Sequence, residues 1–226
     1  MALNVVTVVD ASVAVRHVLI SVSDKTGLDR LAEGLLVANP DVKIFSTGGT
    51  YGRLKEILGG RAEGCLTQVA DYTGQPETQG GLVKTLDFKI YLGLLTETYN
   101  DDHRSDLART AAVPIDMVVV NLYPFQSTVA AADVTPEIAR SNIDIGGPCM
   151  IRAAAKNFIR VASVVDPGDY DDLVNELKAS KGCSQLALRF RLAQKAFAHT
   201  AAYDTAIADY LQKQSADLVA GCYDLY

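Results

Sequence analysis

Two short stretches of this chain combine hydroxyl side chains with glycine: Ser21-Val22-Ser23-Asp24-Lys25-Thr26-Gly27 and Ser46-Thr47-Gly48-Gly49-Thr50. They lie one βα unit apart, and in each the chain passes from a predicted strand to a predicted helix. Small side chains let an anion reach the backbone, the unpaired amides of a helix N-terminus point at it, and the helix dipole favours its charge. Lys25 adds a cation able to meet phosphate directly. Either stretch alone also reads as a tight turn beside a surface lysine. As a pair they read as a phosphate cradle.

Two further lysines stand outside any solvated charge run. Lys84-Thr85 follows Gly80-Gly81, and Lys156-Asn157 closes the run Arg152-Ala153-Ala154-Ala155, which itself follows Asp144-Ile145-Gly146-Gly147. Lysines brought together near a phosphate are candidates to move protons. Tyr123 follows a predicted buried strand and Asp144 precedes two glycines, so both are placed to point into one cleft above a sheet. Taken singly, Asp144 reads as a helix N-cap and Tyr123 as a core ring with a bonded hydroxyl. His199 reads as a packed residue of an alanine-rich helix, and His17 and His103 stand in no Ser-His-Asp motif. A serine-hydrolase triad has little support.

The 226 residues carry a net charge of −6 with 49% hydrophobic and 21% charged residues, a composition that implies one or two soluble domains with a real core. An acidic balance argues against a general nucleic-acid surface, so an anionic ligand must be small and drawn by local lysines. Cys65, Cys149, Cys183 and Cys222 are widely spaced with no Cys-x-x-Cys pair, which reads as free thiols in a reducing compartment and not as a metal centre. The apolar stretch at Val5 to Val9 is interrupted by Asp10, has no basic residues before it and falls short of the ~20 residues of a membrane span. These features predict a cytoplasmic protein without membrane partners.

The elements that must position these groups follow from periodicity. Val15 to Val22 reads as a buried strand and Lys25 to Val37 as a helix with Leu28, Leu31, Leu35 and Leu36 at helical spacing. Val42 to Phe45 then predicts a strand and Tyr51 to Leu58 a helix stopped by Gly59-Gly60. Met117 to Val120 is a β-branched run expected of a strand covered on both faces, ending in Asn121-Leu122-Tyr123-Pro124-Phe125, at the edge where open α/β sheets collect ligands. Val161 to Val165 predicts another strand, and Pro167 opens a helix through Leu177. Lys178 to Ser184 reads as a linker, and Leu186 to Leu211 as one long helix or two abutting ones. The expected organisation is a mainly parallel α/β domain over 15–178, flanked by helices, with a C-terminal helical appendage at 184–212 packed on it and fraying or partner contacts beyond Gln212.

In combination the motifs carry a family resemblance. Ser21 to Gly27, Ser46 to Thr50, Val83-Lys84-Thr85-Leu86, Asn121-Leu122-Tyr123-Pro124-Phe125, Asn142-Ile143-Asp144-Ile145-Gly146-Gly147-Pro148, Arg152 to Asn157 and Lys195-Ala196-Phe197-Ala198-His199-Thr200-Ala201 occur in the family's order over Val18 to Leu211. Together they resemble the inosine monophosphate cyclohydrolase domain of the bifunctional purine-synthesis enzyme. The resemblance implies a methylglyoxal-synthase-like α/β fold, and closure of 5-formamidoimidazole-4-carboxamide ribonucleotide to inosine monophosphate (IMP) with loss of water and no cofactor or metal. It also implies a homodimer. By the same resemblance Lys156 is the proton donor and acceptor, Lys84 stabilises the oxyanion, and Tyr123 and Asp144 are the remaining polar catalytic groups. Ser23, Asp24 and Lys25 form one nucleotide-binding segment and Thr47, Gly48, Gly49 and Thr50 a second that meets the phosphate, with Thr85, Asn121 and Ile145 beside the catalytic residues. Lys84 and Lys156 are thus expected within reach of one base.

The departures from the family pattern cluster. Where the family reads Gly-Arg-Val-Lys-Thr-Leu-His-Pro-Lys-Ile-His-Gly-Gly, this chain has Gly81-Leu82-Val83-Lys84-Thr85-Leu86-Asp87-Phe88-Lys89-Ile90-Tyr91-Leu92-Gly93. Replacing a guanidinium by Leu82 removes charge-assisted hydrogen bonds worth on the order of 1.5–3 kcal/mol each, one to two decades in affinity unless another cation substitutes. Asp87 and Tyr91 replace histidines expected on the same wall. The family's formyltransferase domain is also missing from the sequence, which predicts a stand-alone cyclohydrolase supplied by a separate formyltransferase. Two other readings compete: a purine-nucleotide-binding regulatory module of the same fold, and methylglyoxal synthase activity, whose acidic and histidine motifs are not found.

Overall fold

Among the residues described by the computed structural model, 5–75, 78 and 84–226, the strands are Ser12–Ala14 (β1), His17–Val22 (β2), Lys43–Ser46 (β3), Leu66–Gln68 (β4), Met117–Asn121 (β5), Ala162–Val164 (β6) and Cys183–Gln185 (β7). Five of them form one parallel sheet in the order β4-β3-β2-β5-β6. The continuous apolar runs of β2 and β5 are explained by this position. Val18, Ile20, Met117 and Val119 face one helical layer while Leu19, Val118 and Val120 face the other, so neither strand has a solvent side. Each such side chain fully buried contributes roughly 1.5–3 kcal/mol.

The chain builds outward from β2 through β3 to β4, then returns to the other side of β2 to lay down β5 and β6. The order reverses between β2 and β5, and the crevice above the carboxyl ends of those two strands is where such a sheet accepts a ligand. On one face lie the helices Leu28–Ala38, Gly48–Leu58 and Tyr170–Ala179; on the other lie Phe88–Leu95 and Gly146–Lys156. Gly34 lets the first of these approach the third, because a Cβ there would stand 2.5 Å from the Val174 methyls.

The C-terminal segment Leu186–Gln212 is one uninterrupted helix packed on Gly146–Lys156 and β6. The expected Lys178–Ser184 linker runs into β7, which pairs antiparallel with β1, and the Arg189 guanidinium, fully buried, donates to the carbonyls of Asp10, Phe158 and Ile159. Beyond Gln212, where fraying or partner contacts are expected, the chain is ordered against its own fold. Ala216–Ala220 is a short helix packed near Pro136–Ser141, and the Tyr223 hydroxyl bonds the Glu137 carboxylate. The helix expected from Pro167 begins as a 3-10 turn, Pro167–Asp169, before Tyr170–Ala179, because the Asp166 side chain accepts the Gly168 N–H and tightens the first turn. No described helix is long and apolar enough to cross a membrane.

Candidate active site

β2 ends at Val22, after which Ser23 leaves the sheet, and β5 ends at Asn121, paired in register with Val22. The Asn121 side chain spans the gap between them. Its Oδ1 accepts the N–H groups of Ser23 and Asp24 at 2.7 and 2.9 Å, and its Nδ2 donates to the Asp24 carbonyl at 2.8 Å. Asn121 therefore uses its amide to shape the Ser23-Asp24 loop. Thr50 is committed in the same way: its hydroxyl is hydrogen-bonded to both the N–H and the carbonyl of Val22, at 3.1 and 3.0 Å. The Asp24 carboxylate accepts the Thr26 N–H, and its hydrogen bonds to Thr26 hold it below the usual carboxylate range.

Other groups line the cleft beside them. In the Gly48–Leu58 helix the first intrahelical bonds run from Thr50 and Tyr51 to the Thr47 carbonyl, which leaves the Gly48 and Gly49 N–H groups as orphan donors. Gly48 has φ +46°, a left-handed conformation that brings the backbone around without strain only for glycine. The Thr47 hydroxyl lies 3.2 Å from that of Ser21, across from the Lys25 side chain. Lys84 closes over the same turn, its Nζ 3.5 Å from where a Gly48 Cβ would sit. Amides, hydroxyls and two cations thus surround one position suited to a phosphate.

A second helix N-terminus, that of Gly146–Lys156, enters the same cleft. Asp144 both caps it and lines the cleft: Oδ1 accepts the Gly147 N–H at 2.9 Å, and burial raises the pKa of the carboxyl above its ordinary value although that bond pulls the other way. Gly147 carries no side chain because a Cβ would fall 2.5 Å from Asp144 Oδ2. Gly146 is similarly covered by the Thr85 hydroxyl, 2.6 Å from its own absent Cβ. Tyr123 and Ile145 stand at the mouth, 57% and 58% exposed, so Tyr123 is not the core ring its sequence context suggested. The cleft holds about 550 Å³.

Ser23, Lys25, Thr47, Gly48, Gly49, Thr50, Lys84, Thr85, Asn121, Tyr123, Asp144 and Ile145 all line this cleft. Asp24 borders it through the Asn121 clamp, its side chain on the far side of the loop beside Asp166 and His199. Lys156 is not among the residues lining the cleft: it is exposed at the C-terminal end of the Gly146–Lys156 helix, whose residues Gly146, Gly147 and Met150 line it. Leu82 falls outside the described residues, while Asp87 and Tyr91 do not share the cleft wall. Asp87 caps Phe88–Leu95 by accepting the Lys89 N–H, and burial pushes the Tyr91 hydroxyl, beside Cys149, well above the usual range. Among the described residues, no cluster of three or more His, Cys, Asp or Glu side chains is placed to hold a metal ion.

The chain belongs to the family of MGS-like domains, whose family model matches residues 27–149. Residues 154–223 match a second family model, that of the AICARFT/IMPCHase bienzyme. Among curated proteins it is similar to the bifunctional purine biosynthesis protein PurH of Ruminiclostridium cellulolyticum, 44% identical over 90% of this chain and 38% of that protein. The PurH of Sorangium cellulosum is 52% identical over 87% of this chain and 36% of that protein. The chain thus spans under two fifths of the length of these two relatives. The crystal structure of ForH superimposes with a TM-score of 0.71 at 33% identity, covering 85% of this chain and 97% of that one.

Proposed function

We propose that the chain is an IMP cyclohydrolase, closing the ring of 5-formamidoimidazole-4-carboxamide ribonucleotide to IMP with loss of water. The observation that carries this reading is the entry of two helix N-termini, at Gly48 and Gly146, into one cleft that also holds Lys84, Tyr123 and Asp144. The first terminus, with Lys25 and the Ser21, Ser23 and Thr47 hydroxyls, grips the phosphate. The base then lies toward Asp144, with Tyr123 and Ile145 covering its planar face.

The carboxamide nitrogen is a poor nucleophile, and holding it against the formyl carbon of the same molecule supplies much of the acceleration. As the C–N bond forms, the carbonyl electron pair moves to the formyl oxygen, and the Lys84 ammonium stabilises that developing oxyanion. Asp144, whose burial favours proton exchange nearer neutrality than an ordinary carboxyl, takes the proton from the attacking nitrogen and returns it to the oxygen. The formamido nitrogen gives up its own proton, the C–O bond breaks, and oxygen departs as water, leaving the C=N bond of the new ring. In this scheme Asp144 takes the proton-shuttling part that the resemblance gave to Lys156. The same reading carries a homodimer working in the cytoplasm on nucleotide supplied by a formyltransferase.

The test is the absorbance change on ring closure when purified protein meets the formamido nucleotide in chelator and without folate. Formation of IMP is expected. Tight IMP binding with no turnover would instead support the regulatory-module reading, which the absence of Lys156 from the cleft lining favours.

A further inference from the structure

The Leu186–Gln212 helix contributes no residue to the cleft wall, yet one of its side chains reaches the loop that presents Asp144. The Tyr203 hydroxyl oxygen accepts the Asp144 backbone N–H at 2.8 Å and approaches the Asn142 carbonyl at 3.5 Å. One hydroxyl thus ties both flanks of Ile143. Tyr203 itself is 9% exposed, and its ring meets Phe125 edge-on at 6.2 Å between centroids. Phe125 is buried and opens the helix that follows Tyr123, so the same ring packs against the segments carrying both Asp144 and Tyr123.

The rest of the Asp144 environment needs this anchor. Its Oδ1 is held by the Gly147 N–H and its Oδ2 lies over the space a Gly147 Cβ would fill, so the carboxylate position follows directly from the backbone position of Asp144. The residue lies between a short helix ending at Ser141 and the helix beginning at Gly146, outside any regular element. Its N–H has Tyr203 as its hydrogen-bond partner.

We propose that Tyr203 is a positioning residue for the ring-closing chemistry: through its hydroxyl, the C-terminal helix holds the Asn142–Asp144 loop so that the Asp144 carboxylate faces the substrate. The inference rests on the cyclohydrolase reading for its kinetic consequence, though not for the anchor itself. The phosphate grip at Gly48 shares no hydrogen bond with Tyr203, so loss of the hydroxyl affects turnover and not capture of the nucleotide.

The experiment compares Tyr203→Phe with Tyr210→Phe, whose ring also meets Phe125 edge-on but which makes no bond to the Asp144 loop. Tyr203→Phe is expected to lower kcat at least tenfold with KM within twofold, and to move the acidic limb of the kcat profile to lower pH as the carboxylate drifts toward water. Tyr210→Phe is expected to change neither. A carboxyl-carbon NMR titration of Asp144 in wild type and Tyr203→Phe reads the anchor without turnover, and is expected to show the Asp144 midpoint falling in the variant. Unchanged kcat and an unchanged Asp144 titration in Tyr203→Phe, whatever its melting temperature, overturn the proposal. A shifted titration in a protein with no turnover would leave the anchor standing and remove the cyclohydrolase reading.

Discussion

Asn121 holds the backbone of Asp24 from both sides, accepting its N–H at 2.9 Å and donating to its carbonyl at 2.8 Å. The pair joins the ends of β2 and β5 at the point where the strand order reverses, so the phosphate-binding loop is fixed to the sheet by a side chain and not by the ladder.

Asn121→Asp is expected to keep the acceptor and lose the donor, while placing a negative charge beside the anion site. IMP affinity should fall about tenfold, since the lost hydrogen bond is worth roughly 0.5–1.5 kcal/mol and the new carboxylate repels the phosphate. Titration calorimetry with IMP reads this directly; an unchanged Kd would show that the loop holds its shape without the clamp.

Asp144→Asn separates catalysis from stability. Burial raises the Asp144 pKa above its ordinary 3.8, so the folded state binds the proton more tightly than the unfolded one. Stability from this group is fully present below pH 3.8 and is lost as pH rises through the higher folded value. At neutral pH the wild type bears that penalty and the asparagine variant does not, while Asn can still accept the Gly147 N–H. The variant should melt no lower than wild type at pH 7, lose its relative advantage in acid, and lose turnover. Melting curves from pH 3 to 8 beside the ring-closure assay check both halves.

Lys156→Ala should leave the Kd for IMP within twofold, because Lys156 is not among the residues lining the cleft. A tenfold weaker Kd, read by the same calorimetry, would return Lys156 to the nucleotide site.

Much of this protein was legible in its residues. Val15 to Val22 read as a buried strand and the unbroken apolar run Met117 to Val120 as one covered on both faces, and the glycines at 48, 146 and 147 marked places where backbone must meet a ligand or a carboxylate. Those are local properties: hydrophobic period, φ freedom and the chemistry of a helix N-terminus act over a few residues and are written in order along the chain. β4 and the β1–β7 pair went unread because each strand has three residues, too few to show a period, and depends on partners far away in sequence. Which polar groups are spent on the fold and which face the cleft was likewise decided only in three dimensions. That the Thr50 and Asn121 side chains bond the backbone of Val22 and Asp24 while lining the cleft, and that Lys156 is not among the lining residues, is visible only there. Tyr203 lies 59 residues from Asp144 and became its hydrogen-bond partner only because a helix packed across the sheet brings them together.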